Sequence, residues 1–191
     1  MSANTLWTGA EAATATGGRN TRNWCATGTS IDSRTITKGD LFVAIEGPVF
    51  NGHEFIGAAF ANGAAASLVS TVPNTLPETS PLHIVNDTTA ALTALGAASR
   101  ERTSARITAV TGSVGKTGTK EALRYVLEAQ GPTSASQLSF NNHWGVPLSL
   151  ARMPAETAFG IFEVGMNHAG EIEPLSRLIQ PHVAIVTTVE V

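Results

Sequence analysis

A short run at residues 111–117, Thr-Gly-Ser-Val-Gly-Lys-Thr, combines residue types that hold phosphate groups in proteins. Its glycines allow backbone N–H groups to curve around phosphate oxygens, and the N-terminus of a following helix adds a favourable dipole. Lys116 would reach the β- and γ-phosphates of a nucleotide, and the Thr117 hydroxyl would bind Mg²⁺. The predicted nucleotide-binding residues are Gly112, Ser113, Val114, Gly115, Lys116, Thr117 and Gly118, and Lys116 is also predicted to be catalytic.

The residues on either side of this loop support its interpretation as a phosphate-binding loop. An apolar run at 107–110 precedes it and a helix-like stretch at 120–128 follows, which is the strand–loop–helix setting that the motif needs. One position departs from the common longer motif, because Val110 stands where that motif has glycine. An ordinary glycine turn between a strand and a helix is the alternative.

Glu163 lies near the end of a second apolar run, Phe159 to Val164, downstream of the loop. A carboxylate at the end of a strand in the same sheet is suited to bind Mg²⁺. Thr117 and Glu163 are therefore the predicted metal ligands, and Glu163 is a predicted catalytic residue. The alternative is a glutamate that caps a nearby helix or pairs with an arginine.

Two segments rich in side-chain amides could contact the same ligands. Asn141 and Asn142 could donate to phosphate or sugar oxygens without adding charge, or could simply form a turn. Asn167 and His168 follow Glu163 closely, and His168 is the third predicted catalytic residue. A capping asparagine beside a surface histidine is the alternative, because the next predicted helix begins at 170–171.

The first half of the chain has two polar turns of interest. Residues 32–34, Asp-Ser-Arg, end a predicted strand, and Arg34 could bind a diphosphate through two N–H groups. Residues 51–53, Asn-Gly-His, precede a predicted helix, so helix capping is the alternative there, as a plain turn is at 32–34. The predicted substrate-binding residues are Ser33, Arg34, Asn51, His53, Asn141 and Asn142.

Composition narrows the function classes. The 191 residues can form one large domain or two small ones. A net charge of −3, without a basic cluster in either half, argues against nucleic acid or an anionic membrane as partner. Cys25 is the one cysteine, the N-terminus lacks a signal pattern, and no apolar run approaches the ~20 residues of a membrane span. We expect a cytoplasmic, monomeric enzyme.

The elements that would position these residues form two α/β segments, 1–103 and 104–191, divided at the polar stretch 100–104. The predicted elements of the first are strands at 29–33, 40–45, 66–69 and 82–85, with helices at 53–61 and from 87 to about 102. In the second, a strand near 106 leads into the glycine loop and its helix. Apolar runs at 159–164 and 183–189 and a short helix at 175–179 follow. Both runs are continuous rather than alternating, which indicates a parallel sheet covered on both faces.

The sequence resembles the Mur ligases, which extend the peptide stem of peptidoglycan precursors. The resemblance rests on 32–34, 39–44 and 51–56 in the first half, and on 111–117, 140–148 and 163–172 in the second. The family's ATP loop also lacks the early glycine. The implied fold is α/β: a small N-terminal uridine-nucleotide-binding domain followed by the front part of a P-loop, parallel-sheet ATPase domain.

By position, the resemblance implies that Ser33, Arg34 and the 51–53 turn hold a UDP-sugar, and that Asn141 and Asn142 lie near its phosphates. The implied cofactors are ATP and Mg²⁺, and the implied substrates are UDP-MurNAc-tripeptide and D-Ala-D-Ala. In the implied reaction ATP phosphorylates the terminal carboxylate of the tripeptide. The dipeptide amine then attacks the acyl phosphate, and phosphate is released.

The sequence also departs from the family. Asn51 stands where aspartate is usual, and Gly118 where serine or threonine is usual. Family members use a carbamylated lysine and a third domain beyond the point where this sequence stops, and here no lysine follows Lys120. We therefore expect the chain alone to be inactive or nearly so. Alternatives are a sibling ligase that adds a diamino acid, a folylpolyglutamate-synthase-like enzyme, and a non-catalytic UDP-sugar-binding module.

Overall fold

The computed structural model describes residues 5–47, 51–137, 140–166 and 168–189. The chain divides into two compact units, Met1–Leu95 and Gly96–Val191. Each unit is built around a sheet of mainly parallel strands, which confirms the predicted α/β class.

The first unit contains a two-stranded and a five-stranded sheet. Its strands are β1 (Trp7–Thr8), β2 (Arg19–Asn20), β3 (Cys25–Ala26), β4 (Gly28–Ser30), β5 (Asp40–Val43), β6 (Ala66–Val69) and β7 (Leu82–Ile84). Antiparallel β1 and β3 form the small sheet, and the larger one has the order β2-β7-β6-β5-β4. In that sheet β2 is antiparallel to β7 and the other pairs are parallel. The segments that follow β4, β5 and β6 therefore leave the sheet at the same edge.

Among its described residues, the first unit has three helices and two short 3₁₀ turns. The helices are α1 (Gly9–Thr16), α2 (Ile56–Ala61) and α3 (Thr88–Glu101), which continues into the second unit, with short 3₁₀ turns at Ser33–Thr35 and Gly52–Phe55. A reciprocal capping box between Thr8 and Glu11 starts α1, and Gly17 ends it with φ 69°. The core beside α2 consists of Phe42, Ala44, Ile56, Ala59, Val69 and Leu82.

The second unit has a four-stranded parallel sheet with the order β11-β8-β10-β9. Its elements are β8 (Arg106–Thr111), α4 (Lys116–Glu128), β9 (Thr133–Ala135), α5 (Gly145–Ala151), β10 (Phe159–Glu163), α6 (Ile172–Ile179) and β11 (Val183–Val186). Helix α4 packs against β8, β9 and β10, whereas α5 packs on β10 and α6 on β8.

Strand β10 has different partners on its two faces. Phe162 and Val164 lie in one core with residues of β8, α5 and α6. Because side chains alternate along a strand, Ile161 and Glu163 point to the opposite face, where α4 packs. The sheet thereby turns Glu163 toward the helix that follows the glycine loop.

The prediction that both late apolar runs are covered on two faces is confirmed for β10 and wrong for β11. In β10 the residues from Gly160 to Glu163 are buried. In β11 Val183 is 53% and Val186 63% exposed, and within the described residues the strand that pairs with it is β8. The short elements β1, α1, β2, β3, β9 and α5 were not predicted.

Candidate functional site

Helix α4 begins directly at the predicted phosphate-binding lysine. Gly115 caps it in the left-handed region with φ 90°, and Lys116 is its first residue, so the helix starts earlier than the predicted stretch at 120–128. The N–H of Thr119 donates to the carbonyl of Gly115. The N–H groups at 116–118 precede this bond and lie at the positive end of the helix, where they are suited to bind an anion.

The side chain of Lys116 lies over the loop itself. Its ammonium donates to the carbonyl oxygens of Gly112 at 2.6 Å and Ser113 at 3.3 Å. A positive charge is therefore held beside the backbone that is predicted to surround phosphate oxygens.

Two threonines that sequence reasoning did not single out hold the loop in place. The N–H of Ser113 donates to the carbonyl of Thr188 at 2.7 Å. The hydroxyl of Thr187 lies 2.6 Å from the carbonyl of Val114 and 3.1 Å from that of Thr111. The Ser113 N–H, which we expected to face phosphate, thus bonds to the segment after β11. The two threonines carried no local motif that could have revealed this contact.

Gly112 is required by this close approach. Its φ is 134°, a region that L side chains rarely adopt, and a Cβ atom there would collide with the Thr187 hydroxyl.

The two predicted metal ligands, one in α4 and one at the end of β10, are hydrogen-bonded to each other. Glu163 is 2% exposed, and its Oε2 accepts a hydrogen bond from the Thr117 hydroxyl at 2.9 Å. Its Oε1 accepts from the side-chain amide of Asn141, also at 2.9 Å. These partners are a residue of the helix after the loop and a predicted substrate-binding amide, rather than the helix cap or arginine of the alternative interpretation.

The chemistry of this donor set fits Mg²⁺ that is shared with a nucleotide. The described ranges contain no group of three or more His, Cys, Asp or Glu side chains placed to hold a metal. Proteins commonly bind Mg²⁺ through one or two oxygen ligands while substrate phosphates and water fill the other positions. A buried carboxylate beside a threonine hydroxyl, next to the glycine loop, has the composition of such a pair, and binding of Mg²⁺ by it stays a prediction.

The adjacent asparagines have different roles. The carbonyl of Asn141 accepts from the N–H of Gly165 at 2.8 Å, in addition to the side-chain bond to Glu163. Asn142 caps the start of α5, because its Oδ1 accepts from the N–H of Gly145 at 2.9 Å. The turn interpretation thus describes Asn142 well, and contact of either residue with substrate stays a prediction.

His168 lies on an exposed turn before α6. Its N–H donates to Oε2 of Glu171 at 3.3 Å, and the N–H of Glu171 donates back to the His168 carbonyl at 3.5 Å. Asn167 lies outside the described residues. A catalytic role for His168 stays a prediction.

In the first unit, Asp32 and Arg34 form a local ion pair. Asp32 caps a 3₁₀ turn by accepting the N–H of Arg34, and the Arg34 guanidinium donates to both of its carboxylate oxygens. This side-chain hydrogen bond lowers the pKa of Asp32. Ser33 is buried, and its carbonyl accepts from Asn62 at 2.8 Å. Arg34 itself is 86% exposed, so its charge is accessible to a ligand.

His53 is engaged by the protein at both ring nitrogens. Nε2 accepts the N–H groups of Ser70 at 3.0 Å and Thr71 at 3.3 Å, so the ring proton is assigned to Nδ1, which donates to Oδ1 of Asn51 at 2.7 Å. Burial lowers the pKa of His53, against an opposing effect of Glu46. Asn51 also accepts the N–H of His53 and caps the 3₁₀ turn, as the capping alternative expects. Ligand contact by these two residues stays a prediction.

The family model described as "Mur ligase family, catalytic domain" matches residues 26–133, and the model "Mur ligase middle domain" matches 110–191. The chain is 39% identical over 158 residues to the UDP-N-acetylmuramoyl-tripeptide–D-alanyl-D-alanine ligase of Rickettsia prowazekii. The aligned region covers 83% of this chain and 35% of that protein.

Solved structures show the same similarity. The diaminopimelate-type D-alanyl-D-alanyl ligase of Acinetobacter baumannii superposes with a TM-score of 0.83 at 33% identity, covering 97% of this chain and 42% of that one. A MurF ligase of Thermotoga maritima in complex with ADP gives a TM-score of 0.66 at 28% identity, covering 84% and 37%.

The chain belongs to the Mur ligase family, as the resemblance indicated. It spans about a third of the length of the curated relatives that it matches. No helix among the described residues is long and apolar enough to cross a membrane.

Proposed function

We propose that this chain supplies the uridine-nucleotide and ATP-phosphate sites of a ligase that joins D-Ala-D-Ala to UDP-MurNAc-tripeptide. In this proposal residues 1–103 hold the UDP-linked substrate and 104–191 begin the ATPase domain. The observation that carries it is the hydrogen bond from Thr117, in the first turn of α4, to the buried carboxylate of Glu163.

Residues of the second unit support a role in binding the nucleotide's phosphates. Lys116 and the N–H groups at 116–118 would neutralise and orient the nucleotide phosphates, since catalysis of this reaction rests on positioning and on charge stabilisation. Thr117 and Glu163 would hold Mg²⁺, which when bound neutralises charge that develops on the phosphate oxygens. The structure of the Thermotoga maritima relative is a complex with ADP, which supports an adenine nucleotide as a ligand.

The choice of substrates is supported by the relatives, which are named UDP-N-acetylmuramoyl-tripeptide–D-alanyl-D-alanine ligases. It is also supported by the topology of the first unit. The segments that contain Ser33, Arg34 and the 51–53 turn follow β4 and β5, which are parallel neighbours, so both leave the same edge of the sheet. Ligands of open α/β sheets bind beyond the carboxyl ends of the strands.

Calorimetric titration of the protein with ADP and Mg²⁺ tests the nucleotide site. Lys116→Ala should remove detectable ADP binding, because it deletes the loop's cation. Lys38→Ala is the matched control, since it deletes an exposed lysine of the first unit. Equal ADP affinity of Lys116→Ala and the unchanged protein would disprove the phosphate-binding role of the loop.

Titration with UDP-MurNAc-tripeptide tests the first unit. Arg34→Ala should weaken binding at least severalfold while leaving the melting temperature nearly unchanged, because an exposed ion pair contributes little to stability. Arg177→Ala removes a comparably exposed arginine, which pairs with Glu173 in α6, and should leave binding unaffected. Equal effects of the two changes would argue against a diphosphate contact by Arg34.

A further inference from the structure

Lys120 is a buried charge that the proposed function does not use. Its side chain is fully buried within α4, which is rare for lysine unless the ammonium is paired. The ammonium donates to the carbonyl oxygen of Ser136 at 2.8 Å and lies 3.2 Å from Oε1 of Glu121. Because the ammonium is buried, its hydrogen bond to the Ser136 carbonyl restrains the backbone at that residue.

Ser136 is the first residue after β9, and it connects Lys120 to the end of β10. Its N–H donates to the carbonyl of Ile161, which extends the β9–β10 ladder by one bond. In a regular parallel ladder the next bond would run from the N–H of Glu163 to the Ser136 carbonyl. Instead this N–H donates to the Ser136 hydroxyl at 3.0 Å, and the carbonyl accepts from Lys120.

We propose that Lys120 is a positioning residue, which acts through Ser136 to place Glu163 for binding of the nucleotide's Mg²⁺; this rests on the proposed nucleotide site. The ammonium holds the Ser136 carbonyl in an orientation that does not receive the ladder bond, and the serine hydroxyl holds the backbone of Glu163 in its place. The carboxylate is thereby directed to Thr117, with which it shares the hydrogen bond across to α4.

The consequence of losing the ammonium follows from the same geometry. Without it, the Ser136 carbonyl would be buried and lack this donor, and the N–H of Glu163 is the nearest backbone group of the ladder that can replace it. Closing that bond draws the end of β10 toward β9. The carboxylate of Glu163 then moves relative to the Thr117 hydroxyl, so the metal site is altered while the phosphate loop is not.

The test measures ADP affinity as a function of Mg²⁺ concentration, by calorimetry, for the unchanged protein and for Lys120→Met, which keeps the apolar stem. We expect the half-saturating Mg²⁺ concentration to rise about tenfold or more, as for residues that orient metal ligands. ADP affinity without Mg²⁺ should be unchanged. Ser136→Ala, which removes the hydroxyl that accepts from Glu163, should have the same effect. Glu121→Gln is the control and should have none, because that carboxylate is half exposed.

Equal weakening of ADP binding with and without Mg²⁺ would mean a merely structural role for Lys120 and would overturn the inference. An unchanged Mg²⁺ dependence would do the same, and if Lys120→Met does not fold, Ser136→Ala decides by this criterion. If the unchanged protein shows no Mg²⁺-dependent ADP binding at all, the proposed function fails and takes this inference with it. Normal binding that neither variant alters removes the inference alone.

Discussion

The hydroxyl of Thr117 donates a hydrogen bond to the buried carboxylate of Glu163 at 2.9 Å and so joins the first turn of α4 to the end of β10. A hydroxyl that binds a cation does so through its oxygen lone pairs, with its hydrogen directed away. If Thr117 and Glu163 hold Mg²⁺ as proposed, the Thr117 hydroxyl would give up this hydrogen bond and offer its oxygen to the ion.

Thr117→Val tests this exchange, because valine has the shape of threonine without the hydroxyl. Mg²⁺-dependent ADP affinity should fall by more than about tenfold, the range already found for residues that only orient metal ligands. Stability without ligand should fall by about 1–3 kcal/mol, since a buried carboxylate oxygen loses its donor. Calorimetry and urea unfolding measure the two effects.

Thr117→Ser is the matched control, because it keeps the hydroxyl and should keep most of the Mg²⁺-dependent affinity. If Thr117→Val binds Mg²⁺-ADP as tightly as the unchanged protein, the hydroxyl is not a ligand and its bond to Glu163 is structural only.

Thr187→Val tests the attachment of the phosphate loop to the segment after β11. The change removes the hydroxyl that lies 2.6 Å from the Val114 carbonyl. A net hydrogen bond is worth about 0.5–1.5 kcal/mol, so ADP affinity should fall roughly two- to tenfold if the loop loses its arrangement. Thr187→Ser should restore it. Full ADP affinity in Thr187→Val, measured by calorimetry, would show that the loop holds its shape without this bond.

Gly118→Ala should stabilise the protein. Gly118 is exposed in the first turn of α4, and a Cβ there would meet no atom within 4 Å. Alanine in a helix is favoured over glycine by about 0.5–1 kcal/mol, which corresponds to a rise of about 1–4 °C in melting temperature. Gly112→Ala should have the opposite effect because of its positive φ and the clash with Thr187. A melting temperature lowered by Gly118→Ala would contradict the helical geometry at that position.

His83 should make the protein less stable in acid. It is fully buried, with Nε2 2.7 Å from the Thr16 hydroxyl and Nδ1 2.8 Å from Oδ1 of Asn20, and burial lowers its pKa. The unfolded chain therefore takes up a proton at a higher pH than the folded one. The free energy of unfolding should fall as pH drops below about 6.5, by at most about 1.4 kcal/mol per pH unit for this residue. The loss should level off below the folded-state pKa.

Urea unfolding at pH 7.5 and 5.5 measures this dependence. His83→Gln, which cannot titrate, should lose less stability between the two values than the unchanged protein, whatever its stability at pH 7.5. His53, whose pKa is also lowered, accounts for part of the remaining loss. An identical pH dependence in His83→Gln would mean that His83 does not titrate in this range.

The sequence predicted the parts of the site that depend on local patterns. The glycine loop and the continuous apolar run before Glu163 have short-range signatures, and parallel pairing of β8 with β10 then brings Glu163 level with Val110, just before the loop. That is why the proximity of Thr117 and Glu163 could be predicted, whereas their binding of Mg²⁺ stays a prediction. By contrast, the bond between Asn141 and Glu163 depends on how the 140–145 turn packs, which residue types alone do not determine.

Two other contacts between distant segments, made by Thr187 and by Lys120, were not predicted. Nothing in the residues around Thr187 indicates that its hydroxyl contacts the loop. The sequence around Lys120 likewise predicts a helix but does not indicate that its ammonium is buried against Ser136. Helix α1 was not predicted, because its alanine-rich sequence has little amphipathic periodicity. The spacing of Thr8 and Glu11 is that of a capping box and is the sequence signal for this helix. The exposure of β11 was not predicted, because an apolar run does not show whether other elements cover the faces of the strand.

The bond from Ser113 to Thr188 makes the phosphate loop and the end of β11 thermodynamically linked. A ligand that holds the loop in this arrangement also opposes opening of the segment at 187–188. Part of the free energy of nucleotide binding should therefore appear far from any phosphate, as slower amide hydrogen exchange along β11. Hydrogen exchange in β11, whose valines are exposed, would therefore show whether a nucleotide is bound at the loop.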